Sequence, residues 1–268
     1  MSDTLRIFII DHHLVAIALT LGMILMVEIG WRVGVTVRAK FAVSRINASD
    51  TFMAAIFGLL ALVIAITFSG ASDRFDKRRD LIMSELTTMS SAYLSVDLIK
   101  AEDQANLREL FKKYVDLRLE VYKKPIQLED QAKIFQQRID VGNQIWQTAF
   151  KSVNNIHAIN FADKLIAAKI LPSITAMFDA ADYQRMAMQM HPPPEMWALL
   201  FLLAFVGSLV AGYIMGVEER RDWLLTVVFV VMMVATISLI LDMEHPRDGV
   251  INLDRIDHEI VQFRKSMK

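Results

Sequence analysis

Charged residues in or beside apolar runs are the only residues in this chain whose type and spacing suggest chemistry. Glu28 lies inside a long apolar stretch, where a carboxylate is costly and marks an ion or proton pathway by default. Arg32 follows four residues later, the spacing of a helical ion pair; structural pairing is the favoured reading of the two. Arg74, Lys77, Arg78 and Arg79 crowd the end of a second apolar stretch. They can anchor topology through Asp73, Asp76 and Asp80. Alternatively, several copies around an axis would make a positive vestibule that concentrates anions. Asp242, Glu244 and Asp248 cluster after the last apolar stretch and could offer oxygens to a divalent cation. Their spacing is not that of a calcium loop, and turn or capping roles are favoured. His12 and His13 are adjacent, so on a helix they diverge by about 100° and chelate poorly.

No catalytic signature accompanies these groups. Gly-x-Ser-x-Gly, the phosphate loop, His-Glu-x-x-His and the Gly-rich dinucleotide turn are all missing. The sequence therefore reads as a non-enzyme that needs no cofactor and no resident metal. Cys is absent, which excludes disulfides, thiolate metal sites and a Cys nucleophile. The formal net charge of −1 gives no basic field for nucleic acid.

The elements that position these groups are membrane spans. The chain has 268 residues, 54% of them hydrophobic and 22% charged, with a mean hydropathy of +0.36. Four apolar runs are long enough to cross a hydrocarbon core of about 30 Å: Leu14–Trp31, Phe52–Gly70, Met196–Val217 and Trp223–Leu241. Trp31, Trp197 and Trp223 sit at run ends, where amphipathic rings favour the headgroup level. The first run lacks the basic flank and cleavage site of a signal peptide. The expected organisation is a first transmembrane pair in residues 1–70, a soluble helical bundle in 71–195, a second pair in 196–241, and a polar tail in 242–268. An even number of spans puts both termini and the bundle on one side. Basic residues divide almost evenly between the two sides, so charge alone assigns the bundle to the cytoplasm only weakly.

The fold class expected is all-α. From Ala71 to Lys124 there is neither Gly nor Pro. Ile82, Leu86, Met89, Tyr93 and Val96 form one helical stripe; Leu107, Leu110, Tyr114, Leu117 and Val121 form a second. A third helix is expected over about Leu128–Asn154 and a fourth over about Ile159–Met190, with Pro172 inside it. The first bundle helix is expected to continue directly from the second span. The tail should end in a short amphipathic helix with Ile256, Ile260, Phe263 and Met267 on one face, packed on the bundle.

Leu59, Leu62, Ile66 and Ser69 recur at helical spacing on the second span. Gly58, Ala61 and Ala65 are small and would let neighbouring helices approach. An apolar ring of this kind can gate an ion pathway by dewetting. Periodicity alone equally describes a lipid-facing or packing surface, with Leu60 and Phe68 on other faces.

Three windows carry a resemblance. The first is Arg74-Phe75-Asp76-Lys77-Arg78-Arg79, leading through Glu85 to Ala92-Tyr93-Leu94, Asp97-Leu98 and Tyr114-Val115-Asp116-Leu117-Arg118. The second is Leu171-Pro172-Ser173-Ile174-Thr175-Ala176-Met177-Phe178-Asp179, followed by Arg185 and Pro194. The third is Ile240-Leu241-Asp242-Met243-Glu244-His245-Pro246, followed by Gly249. With the two-plus-two layout, these windows resemble the bacterial bestrophin-like membrane protein family of unknown function, and more distantly the bestrophin anion channels. The chain departs from the family pattern at Leu86-Thr87-Thr88-Met89-Ser90-Ser91. The distant resemblance implies a pentamer with a cytoplasmic helical domain and a pore lined by the second helix. Aligning the Arg-Phe-x-x-x-Arg pattern of Arg74, Phe75 and Arg79 places Leu62 and Ile66 at an apolar neck. The partners implied are further copies of the chain, membrane lipid and small inorganic ions. The calcium-binding acidic run of animal bestrophins is not reproduced. Two other classes share the layout: a proton-driven stator-like subunit, whose motifs are not evident, and a membrane-anchored helical sensor or scaffold.

Overall fold

The computed structural model describes residues 12–41, 47–99, 101–123, 128–154, 161–245 and 254–267. Every regular element among them is helical: α1 (His12–Phe41), α2 (Asn47–Ser95), a short 3-10 turn (Val96–Leu98), α3 (Ala101–Lys123), α4 (Leu128–Asn154), α5 (Phe161–Gln189), α6 (Pro194–Glu218), α7 (Trp223–Glu244) and α8 (Asp254–Ser266). Four of these helices are long and apolar enough to cross a membrane: α1, α2, α6 and α7. The side chains of His12, His13 and Ile256 lie outside the described residues.

The chain forms two units. One comprises Met1–Phe75 with His191–Asn252, the other Asp76–Met190 with Leu253–Lys268. α2 belongs to both, because nothing in its 49 residues breaks a helix. At about 1.5 Å per residue it is about 74 Å long.

In the first unit, α1 and α6 form the tightest seam. Gly30 and Gly34 on α1 meet Gly212 and Gly216 on α6. A Cβ at Gly30 would fall 2.0 Å from the Leu209 carbonyl oxygen, one at Gly34 2.2 Å from that of Tyr213, one at Gly212 2.0 Å from that of Val27, and one at Gly216 2.3 Å from that of Trp31. Only glycine permits backbones this close. Contacts advance together along both helices, from Gly22 against Phe205 to Gly34 against Gly216, so the two helices run parallel. Leu19 and Met23 of α1, Leu200 and Ala204 of α6, Met233 and Ile237 of α7 and Leu60 of α2 fill the core.

The ends of α6 and α7 are fixed locally. Pro194 opens α6, where its missing N–H costs no intrahelical bond. Glu219 closes α6 with φ 56°, and its N–H donates to the Gly216 carbonyl, an αL cap. Arg38 of α1 adds a guanidinium N–H to the Val217 carbonyl at 2.6 Å. Asp222 caps α7 by accepting the Leu225 N–H at 3.1 Å.

In the second unit, the lower half of α2 packs with α3, α4, α5 and α8. Ile82, Met89, Leu107, Phe111, Ile145, Ile170, Ile174 and Met177 are the largest of its fully buried apolar side chains. Phe111, rather than Leu110, takes the inward position on α3. Ile134, Val141, Ile145 and Ala149 of α4 all point inward. Arg264 ties α8 down through a two-pronged pair to Asp116 at 2.7 and 2.8 Å. Phe263 meets the Tyr93 ring edge-on at 6.2 Å, and Ile260 is fully buried.

Candidate functional site

The apolar half of α2 is the least covered of the four helices long and apolar enough to cross a membrane. Of its most apolar window only 11% is buried inside the chain, against 33% for the window that includes α6. One side of the helix supplies what burial there is, through Leu60, Thr67 and Ala71. Thr67 satisfies its hydroxyl on its own helix by donating to the Val63 carbonyl at 2.8 Å. On the open side Leu59, Leu62 and Ile66 are 50%, 56% and 56% exposed, and Ser69 continues the stripe as an exposed residue. Ala61 and Ala65 are exposed beside them. A Cβ at Gly58 would meet nothing within 4 Å, so among the described residues no helix approaches there. Leu60 is buried, with a methyl 3.5 Å from where a Gly207 Cβ would be. Phe68 is partly exposed.

The four basic residues after this span sit in different surroundings. Arg74 pairs with Glu244 of α7 at 2.5 Å, and Glu244 is almost fully buried. A buried carboxylate requires such a partner. Arg78, only 1% exposed, donates to the Ala187 carbonyl at 3.2 Å and the Met190 carbonyl at 2.7 Å. It thereby satisfies the end of α5, where helix carbonyls lack partners. Arg79 is exposed and faces Asp76 at 3.3 Å and Asp80 at 3.6 Å. Lys77 is exposed as well. Only Lys77 and Arg79 of the four therefore present charge mainly to solvent.

Glu28 and Arg32 do meet, at 2.9 Å. A third member was not legible from spacing: Arg221, from the turn between α6 and α7, reaches Glu28 at 3.1 Å. Its guanidinium lies over the Trp31 ring at 3.6 Å and the Trp223 ring at 5.5 Å, a cation–π arrangement. Two arginines thus neutralise this carboxylate.

Of the acidic trio, Asp242 and Glu244 lie in the last turn of α7; Glu244 is engaged by Arg74, Asp242 is half-buried, and Asp248 lies outside the described residues. Among the described residues no group of three or more His, Cys, Asp or Glu converges as a metal site would. His245 stacks on His191 with centroids 5.5 Å apart.

Two features escaped sequence reasoning. The first is the glycine seam; its signal was Gly-x-x-x-Gly on both α1 and α6. The second is a fully buried ion pair. Arg118 grips both Glu85 oxygens with bonds of 2.8 to 2.9 Å, and both side chains are 0% exposed. Arg138 stands 3.7 Å from the same carboxylate. The signal was a charge on each apolar stripe: Glu85 between Ile82 and Met89, and Arg118 one turn after Tyr114.

A family model described as the bestrophin-like domain matches residues 20–256. No curated protein matches the chain. Two crystal structures of single-residue variants of a bacterial bestrophin homolog from Klebsiella pneumoniae are similar in fold. One aligns with a TM-score of 0.66 at 12% identity, covering 92% of this chain and 99% of that one. The other has a TM-score of 0.61 at 12% identity, with 92% and 97% covered.

Proposed function

Because the chain belongs to the bestrophin-like family, we propose that it is a homo-oligomeric integral membrane protein whose α2 helices surround a pathway for small inorganic anions. The observation that carries this reading is the open face of α2. One chain covers one side of that helix and leaves Leu59, Leu62, Ile66 and Ser69 uncovered. Small residues lie beside them, where a neighbouring helix could approach. In a ring of copies Leu62 and Ile66 form an apolar neck, where an ion loses water without gaining ligands. Lys77 and Arg79 are the exposed cations that follow the span, with Asp76 and Asp80 beside Arg79, so the preference for anions rests on the analogy with bestrophins. Five subunits follow by analogy with bestrophins.

In this reading residues 71–195 are a helical domain inserted between the second and third spans. It faces the cytoplasm of a bacterial inner membrane together with both termini. A Cys at exposed Gln137 should stay unlabelled by an impermeant thiol reagent in intact cells; labelling there would reverse the orientation.

Recording from purified protein in planar bilayers tests the pathway. Anion currents from a particle of several copies are expected. A particle that is strictly monomeric by mass photometry would defeat the proposal, as would a folded oligomer that carries no current.

A further inference from the structure

The second unit contains a cavity of about 450 Å³ that the pathway does not use, a volume typical of small-molecule sites. α3, α4 and α5 build it. Tyr114, Phe135, Phe178 and Ile139 supply apolar wall, and Arg138 and Arg185 supply cations. Arg138 is only 9% exposed. Its guanidinium lies over the Tyr114 ring at 5.7 Å and the Phe135 ring at 5.5 Å. Arg185 also lies over the Phe135 ring, at 4.9 Å. Two guanidiniums are thus held against aromatic faces at one cavity.

The charge around this cavity is not closed. Glu85 is fully occupied by Arg118 and stands 3.7 Å from Arg138, beyond hydrogen-bond distance. Asp182 is 58% exposed and reaches Arg185 at 3.3 Å. The Arg185 Nε is buried with no hydrogen-bond partner among the described residues. Among the described residues that line the cavity, two guanidiniums (Arg138, Arg185) face one carboxylate (Asp182), which leaves one positive charge. Burial pushes the Tyr114 hydroxyl up to about 12, so it remains a neutral donor at every physiological pH.

The geometry points to a binding site for a small organic monocarboxylate with an aromatic or branched apolar body, its carboxylate between Arg138 and Arg185 and its body against Phe135 and Phe178. A single negative charge balances the surplus. A carboxylate matches the planar fork of a guanidinium, and the ring-lined wall suits an apolar body. Phosphate esters fit less well, because two or more charges would meet only one uncompensated cation. The site does not depend on whether the protein conducts.

Benzoate is the probe, titrated into the full-length protein in detergent at constant ionic strength and followed by calorimetry and thermal melting. Millimolar benzoate should raise the melting temperature, and isosteric neutral benzamide should not. Arg185→Gln should weaken benzoate binding by about tenfold or more, the usual loss for a charge-assisted hydrogen bond. Ile139→Trp acts without touching a charge. Ile139 is exposed at the rim, so the larger ring should occlude the cavity and leave the fold intact. Arg185→Gln and Ile139→Trp proteins that melt like wild type without ligand and lose the benzoate shift would support the site. No shift in wild-type protein would overturn it, as would an equal shift with benzamide or a shift that survives both substitutions. Dissociation of the oligomer by Arg185→Gln, with wild type indifferent to benzoate, would assign the cavity to a carboxylate of a second copy and overturn it too.

Discussion

The seam between α1 and α6 and the open face of α2 lie in the same unit and share one composition, small residues among large apolar ones. Their environments are opposite. At the seam four glycines bring backbones so close that a Cβ would fall 2.0 to 2.3 Å from a carbonyl oxygen. On α2 a Cβ at Gly58 meets nothing within 4 Å, and Leu62 and Ile66 are more than half exposed. In lipid, apolar side chains gain little by leaving one another's company for acyl chains, so helix association depends on close packing. The seam has that packing within one chain. The α2 face lacks it, and further copies of the chain can provide it. The difference separates small residues that have their partner from small residues that still lack one.

The largest expected effect lies at the seam. Gly212→Val puts a branched side chain onto the Val27 carbonyl, and backbone on both sides cannot rotate away. Overpacking in ordinary cores costs about 1–3 kcal/mol, so this clash should exceed that and abolish a monodisperse folded peak on size exclusion. Gly58→Ala, in open space, should leave the melting temperature of the single chain unchanged. A Gly212→Val protein that melts like wild type would erase the contrast between the two regions.

The buried pair of the second unit extends the contrast to charge. Glu85 and Arg118 are closed on each other, whereas Arg138 and Arg185 line a cavity. Removing one member of a buried pair strands the other, at about 3–5 kcal/mol. Glu85→Leu should therefore lower stability sharply. The double variant Glu85→Leu with Arg118→Met should recover much of the loss, because no charge is stranded. Measured by chemical denaturation of purified protein, additive losses in the double variant would mean that the two side chains do not act as a unit.

The four long apolar helices and the helical character of the described residues were legible because they follow from local pattern: apolar runs of sufficient length, and stripes at three- and four-residue spacing. The continuity of α2 was legible from the absence of Gly and Pro after Ala71. Pairings that join distant segments were not. Arg221 reaches Glu28 across 193 residues, and Arg74 reaches Glu244 across 170. No spacing rule connects such positions. The four basic residues looked alike in sequence, yet one is buried on helix-end carbonyls and another is held by a buried carboxylate. Leu60 and Leu62 are two positions apart and equally apolar. Only packing against α6 assigns one to the core and the other to the open face.

That last pair gives the smallest effect on stability and the sharpest test of the open face. Leu62→Ala and Ile66→Ala remove side chains that one chain leaves more than half exposed. The folded chain should lose much less than the about 2–5 kcal/mol of a buried Leu or Ile truncation. Leu60→Ala, at 3% exposure, should show that full loss and so cannot serve as a silent control. Phe68→Ala, from a partly exposed position off the Leu62 stripe, can. If Leu62 and Ile66 form the neck, shortening either one widens the constriction in every copy at once. Unitary conductance or open probability should then rise while the melting temperature barely moves. Currents that change with Phe68→Ala and not with Leu62→Ala or Ile66→Ala would put the pathway on another face of α2, leaving the Leu59–Ser69 stripe to lipid or to packing between copies.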